Sequence, residues 1–133
     1  MKIRHLALTS LLLILCSTAL AHEHPISLSE KASLQAAMQK HIDRTMVDGR
    51  YLHLDVKSGE VQGLRPLAAH PVIFRMGEYF VLCADFRGPD GDEINIDYYL
   101  ARKGRSFVVF DEQVENRALV KQLMNKGKLA RVD

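Results

Sequence analysis

The chain has 133 residues, with 18 basic and 16 acidic side chains, a formal net charge of +2 and two cysteines. This length suits one domain. A charge so close to zero provides no global attraction to nucleic acid or to an anionic membrane, so the composition argues against both partners.

The first 21 residues are predicted to be a cleavable secretory signal peptide. Lys2 and Arg4 precede an apolar run over residues 6–15, and small residues follow at Ala19 and Ala21. This order of positive, apolar and small segments is typical of secretory signals. The apolar run is shorter than the roughly 20 residues that cross a bilayer, so no membrane span is expected.

Cleavage after Ala21 changes the charge and the cysteine content. Loss of Lys2 and Arg4 lowers the basic residues from 18 to 16, equal to the 16 acidic ones, and only Cys83 remains as a thiol. A single thiol forms no internal disulfide. Export without disulfides favours the bacterial periplasm as the location, with secretion as the other possibility. Acylation of Cys16 as a lipoprotein anchor is the alternative, but the large Leu15 precedes it.

A polar arm at residues 22–26 leads into the first predicted helix. Ser27 and Glu30 have the spacing of a capping box, so the helix is expected to begin there and to run to about Val47. Its apolar residues recur at helical spacing, and Asp48-Gly49 closes it with turn chemistry. The apolar positions are Leu34, Ala37, Met38, Ile42, Thr45 and Met46.

Strands are predicted next. Residues 51–56 alternate, which places Leu52, Leu54 and Val56 on one face. A short strand over residues 61–67 is expected to stop at Pro66, and residues 71–75 form another short apolar stretch.

The most strongly specified element is a hairpin over residues 79–100. Gly88-Pro89-Asp90-Gly91-Asp92 suits a type I turn with a bulge at Gly91, which pairs Gly88 with Asp92. In this register one face is entirely apolar on both strands, as a correct register requires. That face carries Phe80, Leu82, Ala84 and Phe86 on one strand and Ile94, Ile96, Tyr98 and Leu100 on the other.

The next turn, Arg102-Lys103-Gly104, is expected to have the same geometry and to pair Tyr99 with Phe107. The following strand, residues 106–112, would then place Val108 and Phe110 in the core. Residues 114–126 are predicted to form a short helix that ends at Gly127. The basic cluster of Arg102, Lys103 and Arg105 is interpreted as a solvated hairpin tip.

These elements predict an α+β fold: an N-terminal helix packed on a curved antiparallel meander of about four to five strands, with a short C-terminal helix, in one domain over residues 22–133. This order of elements resembles the cystatin-like and NTF2-like architectures. Such folds include enzymes, binding modules and inhibitors, so the resemblance does not decide the function.

The second face of the hairpin carries the candidate ligand-binding residues. It presents Cys83, Asp85, Asn95, Asp97 and Tyr99, followed by Phe107 and Val109 in the expected register. Asp85 and Asp97 are diagonal neighbours, a placement that allows two carboxylates to share a proton or to supply a general base. The alternative is a solvated outer face whose polar residues alternate with core residues.

The mature N-terminus is a candidate metal site. Cleavage after Ala21 would leave His22-Glu23-His24, in which the free amine, two amides and the His24 imidazole can form a square-planar site for Cu(II) or Ni(II), with His22 as a further ligand. The alternative is a disordered arm without a physiological metal.

Three functional hypotheses follow. No Ser-His-Asp order, phosphate-binding loop or paired-histidine spacing supports an enzyme, so the first is a non-enzymatic periplasmic module that binds a protein, peptide or small molecule on the polar face or along a sheet edge. The second is an NTF2-like small-molecule or enzymatic pocket around Asp85, Asp97 and Tyr99. The third is copper or nickel binding through His22 and His24. The sequence does not indicate an oligomeric state.

Overall fold

The computed structural model describes residues 25–132, which form an α+β fold with an N-terminal helix, a strongly curled antiparallel sheet and a short helix near the C-terminus. The predicted signal peptide, Cys16, His22 and His24 lie outside these residues. Within residues 25–132, no helix combines the length and the apolar character needed to cross a bilayer. The helices and strands are α1 (Leu28–Thr45), β1 (Met46–Val47), β2 (Arg50–Asp55), β3 (Glu60–Ala69), β4 (Phe74–Met76), β5 (Tyr79–Arg87), β6 (Glu93–Lys103), β7 (Ser106–Val114), α2 (Arg117–Asn125) and β8 (Ala130–Arg131).

The sheet has eight strands in the described part of the chain, so the prediction of four to five was too low. Three of them, β1, β4 and β8, have only two or three residues. Alternation must extend over about four residues before it indicates a strand, so strands this short leave no sequence signal. Strand β3 also continues through Pro66, with a register irregularity between Pro66 and Ala68.

Helix α1 begins as its capping residues predict. The Ser27 side chain accepts a hydrogen bond from the Glu30 N–H, and Leu34, Met38 and Ile42 are buried against the sheet. The helix ends at Thr45, because Met46 is already extended. Asp48 and Gly49 both have positive φ, as a two-residue type I′ hairpin turn requires, and they join β1 to β2.

The hairpin of β5 and β6 has the predicted register throughout. Arg87 pairs with Glu93, Asp85 with Asn95, and Cys83 with Asp97, and the Gly88 N–H bonds to the Asp92 carbonyl. Gly91 has the positive φ that the bulge requires. The predicted apolar face lies entirely in the main core, together with the buried face of α1.

The predicted register of β7 is wrong. The turn between β6 and β7 has two residues, and Lys103 pairs with Ser106 and Arg102 with Phe107. Only Gly104 has a positive φ there, which is the pattern of a type II′ turn. Phe107 is therefore buried in the main core and Val109 packs against it, rather than facing outward as predicted.

A bulge then changes the face on which β7 presents its side chains. Leu100 pairs with Val109 and Tyr99 with Asp111, so Phe110 has no opposite partner. Phe110 is exposed on the outer face, where its ring contacts Tyr79, and Val108 is only half-buried, so neither belongs to the core as predicted.

Strand β2 forms where it was predicted, but its apolar stripe faces outward. Leu52, Leu54 and Val56 are exposed, whereas Tyr51 is fully buried. The Tyr51 ring contacts Phe86 and Tyr98, and its hydroxyl donates to Glu112 Oε2 at 2.5 Å. An aromatic side chain with a partner for its hydroxyl thus occupies the core position of this strand.

Helix α2 packs on the outer face of the sheet, opposite α1. Val120 is buried in a second small core with Val81, Tyr99 and Leu129. Gly127 ends the helix as predicted, with positive φ, and the Lys128 N–H bonds to the Leu123 carbonyl.

The end of the predicted N-terminal arm, at Pro25 and Ile26, lies within the described residues. Ile26 packs against the main core, and its N–H donates to the Val132 carbonyl at 3.3 Å.

Candidate functional site

The polar face of the β5–β6 hairpin is organised around two separate side-chain contacts. The register places Asp85 and Asp97 on one face as diagonal neighbours, as predicted. Each carboxylate has a cation or imidazole of its own: His70 Nε2 contacts Asp85 Oδ2, and Arg117 Nη1 donates to Asp97 Oδ1. The two acids therefore do not share one hydrogen bond, and both partners come from outside the hairpin.

Asp97 lies beneath the covering formed by α2 and is 1% exposed. Burial raises the pKa of Asp97 above its ordinary value, although the nearby Arg117 guanidinium opposes the shift. Its second oxygen, Oδ2, is buried without a hydrogen-bond partner. Solvent and ligands therefore have almost no access to this carboxylate in the folded protein.

Asp85 is more accessible and has more hydrogen bonds. Partial burial alone would raise the pKa of Asp85, but the hydrogen bonds from Asn95 and His70 outweigh it and hold the pKa below its ordinary value. The Asn95 Nδ2 donates to Asp85 Oδ1 at 2.7 Å. Asp85 is therefore favoured as a carboxylate.

His70 was not among the predicted site residues, because its partner is 15 residues away and its only local signal is a histidine before a proline. In the fold, the His70 N–H bonds to the Cys83 carbonyl at 2.9 Å and extends the pairing of β3 with β5. This main-chain bond places the imidazole beside Asp85.

Cys83 and Tyr99 are structural members of this face. Both are almost fully buried, and burial raises the pKa of each. A thiol held in its protonated form is a weak nucleophile. The Tyr99 hydroxyl and the Asn95 Oδ1 atom are buried without a hydrogen-bond partner. The polar face thus contributes to the packing beneath α2, and the His70–Asp85 contact is partly accessible, with 39% and 15% of the two side chains exposed.

A second surface, the groove between α1 and β7, was not predicted. We call it the basic groove; its volume is about 650 Å³. Lys40 and Arg44 from α1 and Lys103 and Arg105 from the β6–β7 turn surround it, and none of the described residues that line it is a carboxylate. The helix contributes Ser33, Ala36, Ala37, Lys40, His41 and Arg44. The strand side contributes Lys103, Arg105, Ser106, Phe107, Val108 and Val109.

The groove follows one edge of the sheet. In the described part of the chain, β7 pairs with β6 alone, so its other edge is not covered by a strand. Phe107 is buried beneath the groove, and Val108 and Val109 are half-buried along it. The groove therefore combines an apolar floor, a strand edge and a cationic rim.

The opposite end of β7 has the opposite charge. A cavity of about 490 Å³ lies between the tip of the β2–β3 hairpin, the β5–β6 loop and the end of β7. Among the described residues, five carboxylates and two basic side chains, His53 and Lys57, line this cavity. The carboxylates are Asp55, Asp90, Asp92, Glu112 and Glu115.

Glu112 connects these two regions. Its Oε2 atom lies 3.1 Å from His41 Nε2, which lines the basic groove, and also accepts the hydrogen bond from the buried Tyr51. Burial and the hydrogen bond with Glu112 raise the pKa of Tyr51 well above its ordinary value. The acidic end of β7 is thus fixed to α1 and to the core.

No cluster of three or more histidine, cysteine, aspartate or glutamate side chains within residues 25–132 has a geometry that could hold a metal ion. The proposed copper or nickel ligands, His22 and His24, lie outside these residues. Comparisons with protein-family models, with curated proteins and with solved structures found no match to this chain.

Proposed function

We propose that this protein is an exported, non-enzymatic binding module whose basic groove holds an anionic ligand. The observation that carries this proposal is the charge of the groove: four cationic side chains surround it, and no carboxylate of the described residues lines it. In a chain whose predicted mature form has no net charge, such local segregation of charge attracts and orients anions.

The apolar floor of the groove supports a ligand that is more than a free ion. Binding sites typically combine apolar walls with a few charged groups that fix orientation. Here Phe107 and Val109 supply the apolar contact, and the rim supplies the charge. The non-enzymatic part of the proposal is supported by the burial of Cys83, because its raised pKa makes the thiol a weak nucleophile.

The polar face gives less support to a small-molecule or enzymatic pocket around Asp85, Asp97 and Tyr99. Asp97 and Tyr99 are buried beneath α2, and each oxygen of Asp85 already has a side-chain partner, His70 or Asn95. Copper or nickel binding at His22-Glu23-His24 is a separate proposal, supported by the sequence of the predicted mature N-terminus.

The proposal is tested by binding of fluorescent anionic probes of different chemistry: polyphosphate, a sulfated hexasaccharide and an oligoglutamate peptide. At least one probe should bind, and K103Q/R105Q should weaken that binding by about tenfold. The matched control is K121Q/K126Q, which removes the same charge from the region of α2. Failure of all three probes to bind, or an equal loss in the control, would overturn the proposal.

A further inference from the structure

We infer that the ligand of the basic groove is an extended acidic peptide, which adds as a strand to the free edge of β7. This inference rests on the proposed function and names its ligand class. Charge alone would accept any polyanion of suitable size. The main chain of β7 and the shape of the groove are what favour a peptide.

The register of the β6–β7 hairpin shows which main-chain groups are available. A two-residue hairpin turn is closed by a hydrogen-bonded pair, which here is Lys103 with Ser106. Hydrogen-bonded and non-hydrogen-bonded pairs alternate along an antiparallel ladder, so Phe107 belongs to a non-hydrogen-bonded pair. Its N–H and C=O therefore point away from β6, and those of Val109 do the same two residues later.

These outward groups lie along the groove, where an added strand would meet them. Adding a strand to a sheet edge supplies main-chain hydrogen bonds, and side chains on alternate residues then provide specificity. A peptide offers both kinds of group at the required spacing, whereas a polyphosphate offers only acceptors, and the hydroxyl donors of a sulfated sugar do not recur at the spacing of a strand. The donor and acceptor groups of β7 are therefore matched by a peptide.

The α1 wall of the groove begins with three small side chains. Ser33, Ala36 and Ala37 are small, and they line the groove opposite the strand edge. Lys40 and Arg44 follow along the same wall, while Lys103 and Arg105 stand at the turn. Side chains of an added strand would thus meet cations on both sides, which favours glutamate or aspartate at those positions.

Two features limit the length of the acidic segment. The bulge at Phe110 interrupts the regular edge, so strand addition is confined to the region from Ser106 to Val109, about 13 Å of extended chain. Beyond it, Glu112 and Glu115 would repel further acidic side chains. The bulge also disfavours pairing of β7 with a second copy of the same edge, because bulges interrupt edge-to-edge pairing.

The test uses the purified protein, expressed with its natural leader, and an acetylated, amidated octapeptide of alternating glutamate and threonine. Binding should slow hydrogen exchange of the Phe107 and Val109 amides. The Val108 amide, which faces β6, serves as the internal control and should change little. N-methylation of the four central peptide amides keeps the charge and removes the donors, so it should weaken binding by about tenfold or more.

The probes separate failure of this inference from failure of the proposed function. If polyphosphate binds and the K103Q/R105Q variant loses that binding, but the octapeptide fails to bind or N-methylation has no effect, strand addition is wrong and the anion-binding groove stands. If no anionic probe binds, or the K121Q/K126Q variant loses as much affinity, both are overturned. Slower exchange at Phe107 and Val109 together with sensitivity to N-methylation supports strand addition.

Discussion

Arg117 on α2 donates a hydrogen bond to Asp97 on β6, and this contact joins the covering helix to the sheet. The two partners differ in environment: the Asp97 side chain is 1% exposed and the Arg117 side chain is 44% exposed. A buried carboxylate without a cation would be costly, so Arg117 compensates a charge that the fold has already removed from water. Removing this contact therefore measures how much it contributes to holding α2 on the polar face.

Replacing Arg117 with methionine is expected to lower the free energy of unfolding at pH 7 by about 2 kcal/mol. This is less than the roughly 3–5 kcal/mol of a fully buried pair, because Arg117 is partly solvated. Because the pKa of Asp97 is raised above 3.8, its carboxylate accepts a proton in the folded state at a higher pH than an ordinary aspartate does. Once it is protonated, it no longer needs the charge of Arg117. The loss measured by urea unfolding should therefore be smaller at pH 4 than at pH 7. R105M, an exposed arginine variant, is the control, and equal losses in the two variants would contradict the prediction.

Replacing Asp85 with asparagine tests the hydrogen bonds from His70 and Asn95. The pKa of Asp85 lies below its ordinary value of 3.8, so its stabilisation is fully present above pH 3.8 and is lost as the pH falls through the lowered pKa. D85N should lower the free energy of unfolding by about 1–2 kcal/mol at pH 7, and the difference from wild type should shrink as the pH falls below 3.8. D90N, in the exposed loop, is the control. A difference independent of pH would mean that Asp85 acts through packing.

The outward face of β2 makes a prediction about packing. Leu54 is exposed, whereas Leu82 is fully buried. L54T should change the free energy of unfolding by no more than about 0.5 kcal/mol, while L82A should lower it by about 2–5 kcal/mol. Chemical denaturation of both variants measures this contrast. A loss above about 1.5 kcal/mol in L54T would show that the apolar stripe of β2 is buried against a partner in solution.

The sequence was sufficient to predict the β5–β6 hairpin because two independent signals agreed there. The loop chemistry at Gly91 and the apolar face of both strands specify the same register. For β7 the local signals conflicted: Gly104 suits either a two-residue or a three-residue turn, and the bulge at Phe110 changes faces in the middle of the strand. Because of this turn and this bulge, the alternation of apolar and polar residues predicted the wrong faces for Phe107 and Phe110.

Long-range contacts explain the other differences. The alternation of β2 showed that its leucines share one face, but it did not show that the core position belongs to Tyr51, whose hydroxyl bonds to Glu112, 61 residues away. The basic groove was missed for the same reason, because Lys40 and Arg105 come together only when α1 packs along β7. Of the candidate site, the sequence predicted which residues of β5 and β6 share the polar face, but it wrongly added Phe107 and Val109. It did not predict that His70 and Arg117 would each take one of the two carboxylates.

The histidines before the described residues give a prediction that does not depend on the fold. If cleavage occurs after Ala21, the exported protein should begin at His22 and bind one equivalent of Cu(II), with the visible absorption of a square-planar site. Mass spectrometry of the exported protein establishes the N-terminus, and titration gives the affinity. Acetylation of the free amine or H24A should weaken binding by more than about tenfold, because each removes one of the four in-plane ligands. H53A, which changes a histidine of β2, is the matched control. Full Cu(II) affinity in a protein whose His22 is blocked or absent would show that the metal binds elsewhere.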